Sequence, residues 1–143
     1  MKSLFAVILL SLIINGLAEN KICVDYEIKP LINKNSFRWY FIPLAQNICD
    51  SINQYEDIYD INCKVLIRII KNGDILEPIL LLNNSDQNKD NLIKTVINKC
   101  NPYFKVPPTC KNDTMKMEMI IKTVNCETIE LKLIKKQQIQ KDY

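Results

Sequence analysis

The sequence predicts an α+β domain, with two helices packed on one face of a small antiparallel sheet in the order helix–hairpin–helix–strand, stabilised by disulfides. Three observations predict it. Apolar residues recur at helical spacing in two separate stretches, and they alternate at period two between and after those stretches. Six cysteines follow a leader of export type.

The leader comes first. Lys2 supplies a positive charge, and Leu4 to Ile14 form an apolar run broken only by Ser11. Gly16-Leu17-Ala18 puts small residues where a signal peptidase reads, so residues 1–18 are expected to be a signal peptide cleaved after Ala18. The run is shorter than the roughly 20 residues of an ordinary spanning helix. An uncleaved anchor is the alternative, and only then is a membrane a partner. Without Lys2, eighteen basic residues face sixteen acidic ones, a net charge of +2. That charge is too small to imply nucleic acid as a partner.

Residues 19–43 read as an N-terminal extension. Ile22 to Ile28 alternate loosely as a short strand, and Pro30 with the polar run Asn33 to Ser36 forms a turn. The aromatic cluster Phe37, Trp39, Tyr40 and Phe41 is expected to cap a core, with partner anchoring as the other reading. Pro43 is placed for the first turn of a helix. Leu44, Ile48, Ile52 and Tyr55 then give one apolar helical face. After an acidic connector, Cys63 to Ile70 alternates as a strand, and Asn72-Gly73 signals a hairpin because both residues tolerate positive φ. The returning strand, Ile75 to Leu82, carries Pro78, which cannot donate a ladder bond. An edge position or a bulge is therefore expected. Asp90 or Ser85 is the expected cap of the second helix, whose apolar face is Leu92, Ile93, Val96, Ile97 and Cys100. Asn101-Pro102 ends that helix.

Met115 to Thr123 is the clearest strand. Met115, Met117, Met119 and Ile121 share one face, read as core because thioethers pack well in irregular gaps. A further alternating run, Ile129, Leu131 and Leu133, suggests an extra strand from Thr128 to Leu133, and 135–143 is a polar tail.

Cys23, Cys49, Cys63, Cys100, Cys110 and Cys126 all lie after the leader. Six cysteines in an exported domain read as up to three disulfides, with fifteen complete pairings open. No two cysteines stand two to four residues apart and histidine is absent, so no metal site is expected. The same absence removes histidine-based catalysis, and the one glycine after the leader, Gly73, cannot build a phosphate loop. No catalytic residue and no cofactor is expected, and the chain is not read as an enzyme. Asn83-Asn84-Ser85 and Asn112-Asp113-Thr114 are glycosylation-type triplets in an Asn-rich chain.

Taken in order, these features resemble the C-terminal domain of TolA, in the wider TonB C-terminal superfamily. Ile48-x-x-x-Ile52 with Tyr55, Cys63 to Gly73, Leu92 to Lys99, Val106-Pro107-Pro108 and Met115 to Thr123 carry the resemblance. It covers roughly Leu44 to Val124, so 44–134 is taken as the TolA/TonB-like domain. The family's second cysteine falls near Leu92, so a Cys63–Cys100 bridge is plausible without being carried over. The resemblance implies a periplasmic or secreted, cell-envelope protein. Such a protein docks periplasmic or envelope partners of a Tol/TonB-type system by adding a partner strand to a sheet edge. The edge it points to is Lys116, Met117, Glu118, Met119, Ile120, Ile121 and Lys122. Either that edge stays open or Thr128 to Leu133 folds back onto it. The alternative function is a freestanding disulfide-rich secreted effector or inhibitor.

Overall fold

The computed structural model describes residues 21–31, 37–56 and 58–126, with Leu131, 133–135 and Gln137. The expected signal peptide, the Asn33 to Ser36 turn, most of the tail and four residues of the Thr128 to Leu133 run lie outside them. The described residues fall in two compact units, Val24–Thr123 and a smaller one containing residues 21–23 and the residues from Val124 onward.

The elements in order are β1 (Ile22–Pro30), α1 (Arg38–Ile52), β2 (Asn62–Ile70), β3 (Ile79–Leu82), α2 (Gln87–Lys99) and β4 (Thr114–Asn125). The protein is α+β, with one four-stranded antiparallel sheet in the order β1-β4-β2-β3. Among the described residues no helix is long and apolar enough to cross a membrane.

The β2–β4 register follows from burial. Cys63, Val65, Ile67 and Ile69 stand opposite Ile121, Met119, Met117 and Met115. All eight are buried, so one face of the sheet is core. The other face carries Lys64, Leu66 and Arg68 opposite Ile120, Glu118 and Lys116, and there Lys64 pairs with Glu118 at 3.1 Å.

α1 starts earlier than the proline suggests. Phe37, Tyr40 and Phe41 continue the stripe of Leu44, Ala45, Ile48, Cys49 and Ile52 at helical spacing, and burial of that stripe carries the helix back to Arg38. Pro43 therefore lies inside the helix. The carbonyl it deprives belongs to Trp39, and both residues are on the exposed side, within reach of solvent. The boundary expected at residue 44 thus falls within a helix, and most of the supposed extension is a sheet strand and helical turns. Tyr55 lies past the helix end and is exposed.

α2 is capped by Asp86, whose carboxylate accepts the Asn88 N–H at 2.9 Å, and not by Ser85 or Asp90. Ile93, Val96 and Ile97 form its buried stripe. The Asn101–Pro102 peptide beyond it is cis.

The Asn72-Gly73 turn is present. Gly73 has φ +97°, and Ile70 closes the turn with Asp74 at 3.0 Å. The returning chain is not a strand from Ile75, however. Ile75 makes one isolated bridge to Ile69, and regular pairing holds only over Ile79–Leu82, with an irregularity opposite Lys64 and Val65. Pro78, just before β3, supplies no donor for a longer ladder. The expected extra strand is also corrected. Leu131 and Leu133 are helical and exposed, and Leu131 with Ile134 has i, i+3 helical spacing.

Candidate functional site

Residues Lys116 to Lys122 do not form an edge. β4 lies between β1 and β2, so both its sides are taken. Leu31 N–H donates to the Lys116 carbonyl at 3.0 Å from the β1 side, while β2 pairs along the other side. Strand addition at Lys116, Met117, Glu118, Met119, Ile120, Ile121 and Lys122 is thereby blocked. The occupant is β1 and not the Thr128 to Leu133 run.

The true edges are β1 and β3. On β1, Leu31 directs its N–H toward β4, so the even-numbered amides face outward in an extended strand. Val24 N–H donates to Asn53 Oδ1 at 2.9 Å, and Tyr26 N–H donates to Asp25 Oδ1 at 2.9 Å. Pro30 has no N–H to offer. Charged Asp25, Glu27 and Lys29 line the same strand. Capped amides and charge are how natural sheets close an edge.

β3 is different. Ile79, Leu81 and Leu82 are 41%, 43% and 63% exposed, and no charge interrupts Ile79–Leu82. Beside it lies a groove of about 650 Å³, lined by Pro78 and Leu80 from the strand side and by Gln87, Asn91 and Lys94 from α2. Its floor is a satisfied polar network. Asn84 donates its backbone N–H and its Nδ2 to Asp90 Oδ1 at 2.7 and 2.8 Å. Asn84 Oδ1 accepts the Asn62 N–H at 2.9 Å, tying the end of β3 to the start of β2. Lys89 donates to the Tyr59 carbonyl, holding α2 to the connector. Among the described residues Lys64–Glu118 and Lys71–Asp113 are ion pairs, and neither Glu77 nor Lys94 takes part in one.

The cysteine expectations need correction. Cys23–Cys126 is a disulfide with Cα atoms 5.2 Å apart, whereas Cys49, Cys63, Cys100 and Cys110 are thiols. Cys49 and Cys63 act as small apolar packers on the core faces of α1 and β2. Burial pushes the Cys49 thiol up to about 12, with Asp25, Asp50 and Cys63 adding to it. Burial pushes Cys63 up to about 11, opposed by a hydrogen bond from Asn84. Burial also raises Cys100, whose Sγ donates to the Val96 carbonyl of its own helix at 3.4 Å, so no Cys63–Cys100 bridge forms. Raised thiols of this kind are poor nucleophiles.

Three of the four clustered aromatics, Phe37, Tyr40 and Phe41, are buried, and Trp39 is exposed. Tyr40 donates its hydroxyl to the Phe104 carbonyl at 2.6 Å, and Tyr103 donates to the Tyr40 carbonyl at 2.5 Å. Tyr103 N–H in turn bonds the Gly73 carbonyl at 2.8 Å, and a Cβ at Gly73 would collide with the Tyr103 carbonyl. The aromatic cluster therefore anchors the hairpin turn. Asn83 and Asn112, the acceptors of the two triplets, are exposed.

The chain matches no family model, no curated protein and no solved structure.

Sequence reasoning placed the binding edge on β4; it expected an edge position or a bulge for Ile75 to Leu82 but gave that strand no binding role, and it passed over Lys94 and the Asn84–Asp90 network. The signal for them was local. Four apolar residues without a charge follow Pro78 and precede an Asn-Asn-Ser-Asp loop.

Proposed function

We propose that this chain is a non-catalytic protein-docking module of the exported cell envelope, taking an extended partner segment onto the free side of β3. On this reading Arg38 to Asn125 is a helix–hairpin–helix–strand unit of TolA/TonB type, with α1 and α2 side by side over the buried sheet face. The helices touch one another, and β2 pairs with both β3 and β4, which supports that arrangement. β1 then fills the edge that the resemblance marks for docking, and the docking edge moves to the other end of the sheet. One observation carries the reading: β3 leaves an apolar edge open beside a formed groove, while β1 is capped. An added strand would gain backbone hydrogen bonds there, and the groove would read its side chains.

The test is paired photo-crosslinking in the setting where the protein is exported, with the probe at Leu81 or at Glu27. Discrete polypeptide adducts from Leu81 and none from Glu27 are expected. Equal labelling from both positions, or adducts only from Glu27, contradicts β3 docking.

A further inference from the structure

We infer that the segment taken up at β3 presents an asparagine or glutamine side chain to the neighbouring groove, where its amide N–H donates to Asp90 Oδ2 and its amide oxygen accepts from Lys94; the inference rests on the docking reading above. The observation behind it is an unused carboxylate oxygen. Asp90 is only 8% exposed, yet it lines the groove. Its Oδ1 accepts both donors of Asn84, at 2.7 and 2.8 Å, and no described group donates to Oδ2. Among the described residues no atom of that network is buried without a partner, so Oδ2 is the oxygen left open to the groove. Asn84 thus holds the carboxylate by one oxygen and leaves the other for a donor from outside.

Lys94 stands one helical turn further along α2 and lines the same groove. An acid four residues before a lysine is the order that favours an ion pair on a helix. Asn84 holds Asp90 inward, and that pair is not made. The groove therefore keeps one charged acceptor and one charged donor apart. No other lining residue is charged, and Asn83, Gln87 and Asn91 add neutral amides.

This lining selects by exclusion. A guanidinium or an ammonium would satisfy Asp90 and meet Lys94 as a like charge. A carboxylate would do the reverse. An apolar side chain would cover the Asp90 oxygen without giving it a donor, which is costly for a charged acceptor. A hydroxyl has one oxygen to reach two groups a helical turn apart. A carboxamide is neutral and carries its donor and its acceptor on separate atoms, so it answers both. The way in is open as well. Leu80 stands opposite Val65, on the buried face of the sheet, and lines the groove together with α2. Side chains of an added strand alternate between the two faces, so those on the Leu80 face enter the groove.

The experiment is selection of random peptides displayed on phage, against the exported chain and against its Lys94→Glu variant, with Leu81→Lys as the control for binding at β3. Lys94 is half-exposed, so Lys94→Glu should melt like the wild type. Among clones that Leu81→Lys no longer binds, the wild type should enrich Asn or Gln at one fixed position. With a second acid in the groove, Lys94→Glu should enrich Arg or Lys there instead. In a synthetic peptide from an enriched clone, replacing the carboxamide by leucine, glutamate or arginine should weaken binding to the wild type about tenfold or more. Those changes lie in the peptide and leave the fold of the protein untouched. Clones sensitive to Leu81→Lys but without a carboxamide preference overturn the inference and leave β3 docking standing. An unchanged preference in Lys94→Glu does the same. If no clone is sensitive to Leu81→Lys, both fall.

Discussion

β1 and β3 bound the same sheet, yet caps on outward amides are found on β1 alone among the described residues. β1 spends Asn53 and Asp25 on two of its outward amides and places Asp25, Glu27 and Lys29 along its length. β3 exposes three apolar side chains, Ile79, Leu81 and Leu82, with no charge among them. An open apolar edge invites unwanted pairing, and natural sheets usually suppress it. On the docking reading proposed above, a sheet that caps two amides of one edge and leaves an apolar strand at the other is organised to use the second. Shortness and the preceding Pro78 limit how far β3 can pair, which favours a short partner strand over indefinite stacking.

The comparison can be broken from either side, and the largest effect is expected at the β1 end. Cys23→Ser opens a bridge that closes a sequence separation of 103 residues. Loss of such a bridge costs about 2–5 kcal/mol. Melting of Cys23→Ser should match that of the reduced wild type. Equal melting of oxidised and reduced wild type would show that the bridge contributes nothing.

Beneath β3 the sensitive residue is Asn84. Asn84→Ala removes one donor from the buried Asp90 carboxylate and the acceptor of the Asn62 N–H. The expected loss is about 2–3 kcal/mol in urea unfolding, because buried groups are left unpaired. Asn84→Asp should be at least as damaging, since it sets a second carboxylate against Asp90.

Alkali acts on the core under both edges. Cys49 and Cys63 are held above the ordinary thiol value of 9.0, at about 12 and about 11. Below pH 9 both states carry neutral thiols and stability is full. Above it the unfolded thiols ionise first, so stability falls as pH rises through the folded values. The slope is about 1.4 kcal/mol per pH unit for each group. Urea midpoints should be level to pH 8.5 and decline beyond pH 9, less steeply in Cys63→Ala.

Asn53→Ala should have the smallest effect on stability, about 1 kcal/mol, since it removes a single hydrogen bond. Its sharper readout is local. Freed of its cap, the Val24 amide should exchange faster, and a β1-edge probe at Glu27 should begin to give adducts.

The sequence made some of this legible and hid the rest. The Met115, Met117 and Met119 alternation told the core face of β4, because period two fixes a face wherever one side is buried. Asn72-Gly73 told the turn, through backbone chemistry carried by two residues. The neighbours of β4 were not legible. Nothing local in Ile22 to Ile28 says that it pairs with residues some ninety positions away, and that pairing decides which edge is free. Pro43 was a false start signal because the aromatic stripe outweighed one lost hydrogen bond. Six cysteines suggested up to three bridges, and the structure has one, Cys23–Cys126, with Cys49 and Cys63 buried as packing thiols instead.

Amide hydrogen exchange at the two edges tests the central claim most directly. The account predicts protection at Val24 and Tyr26, whose N–H groups are capped, and rapid exchange at Leu80, whose N–H faces away from β2. Val24 and Tyr26 exchanging as fast as Leu80 would contradict it.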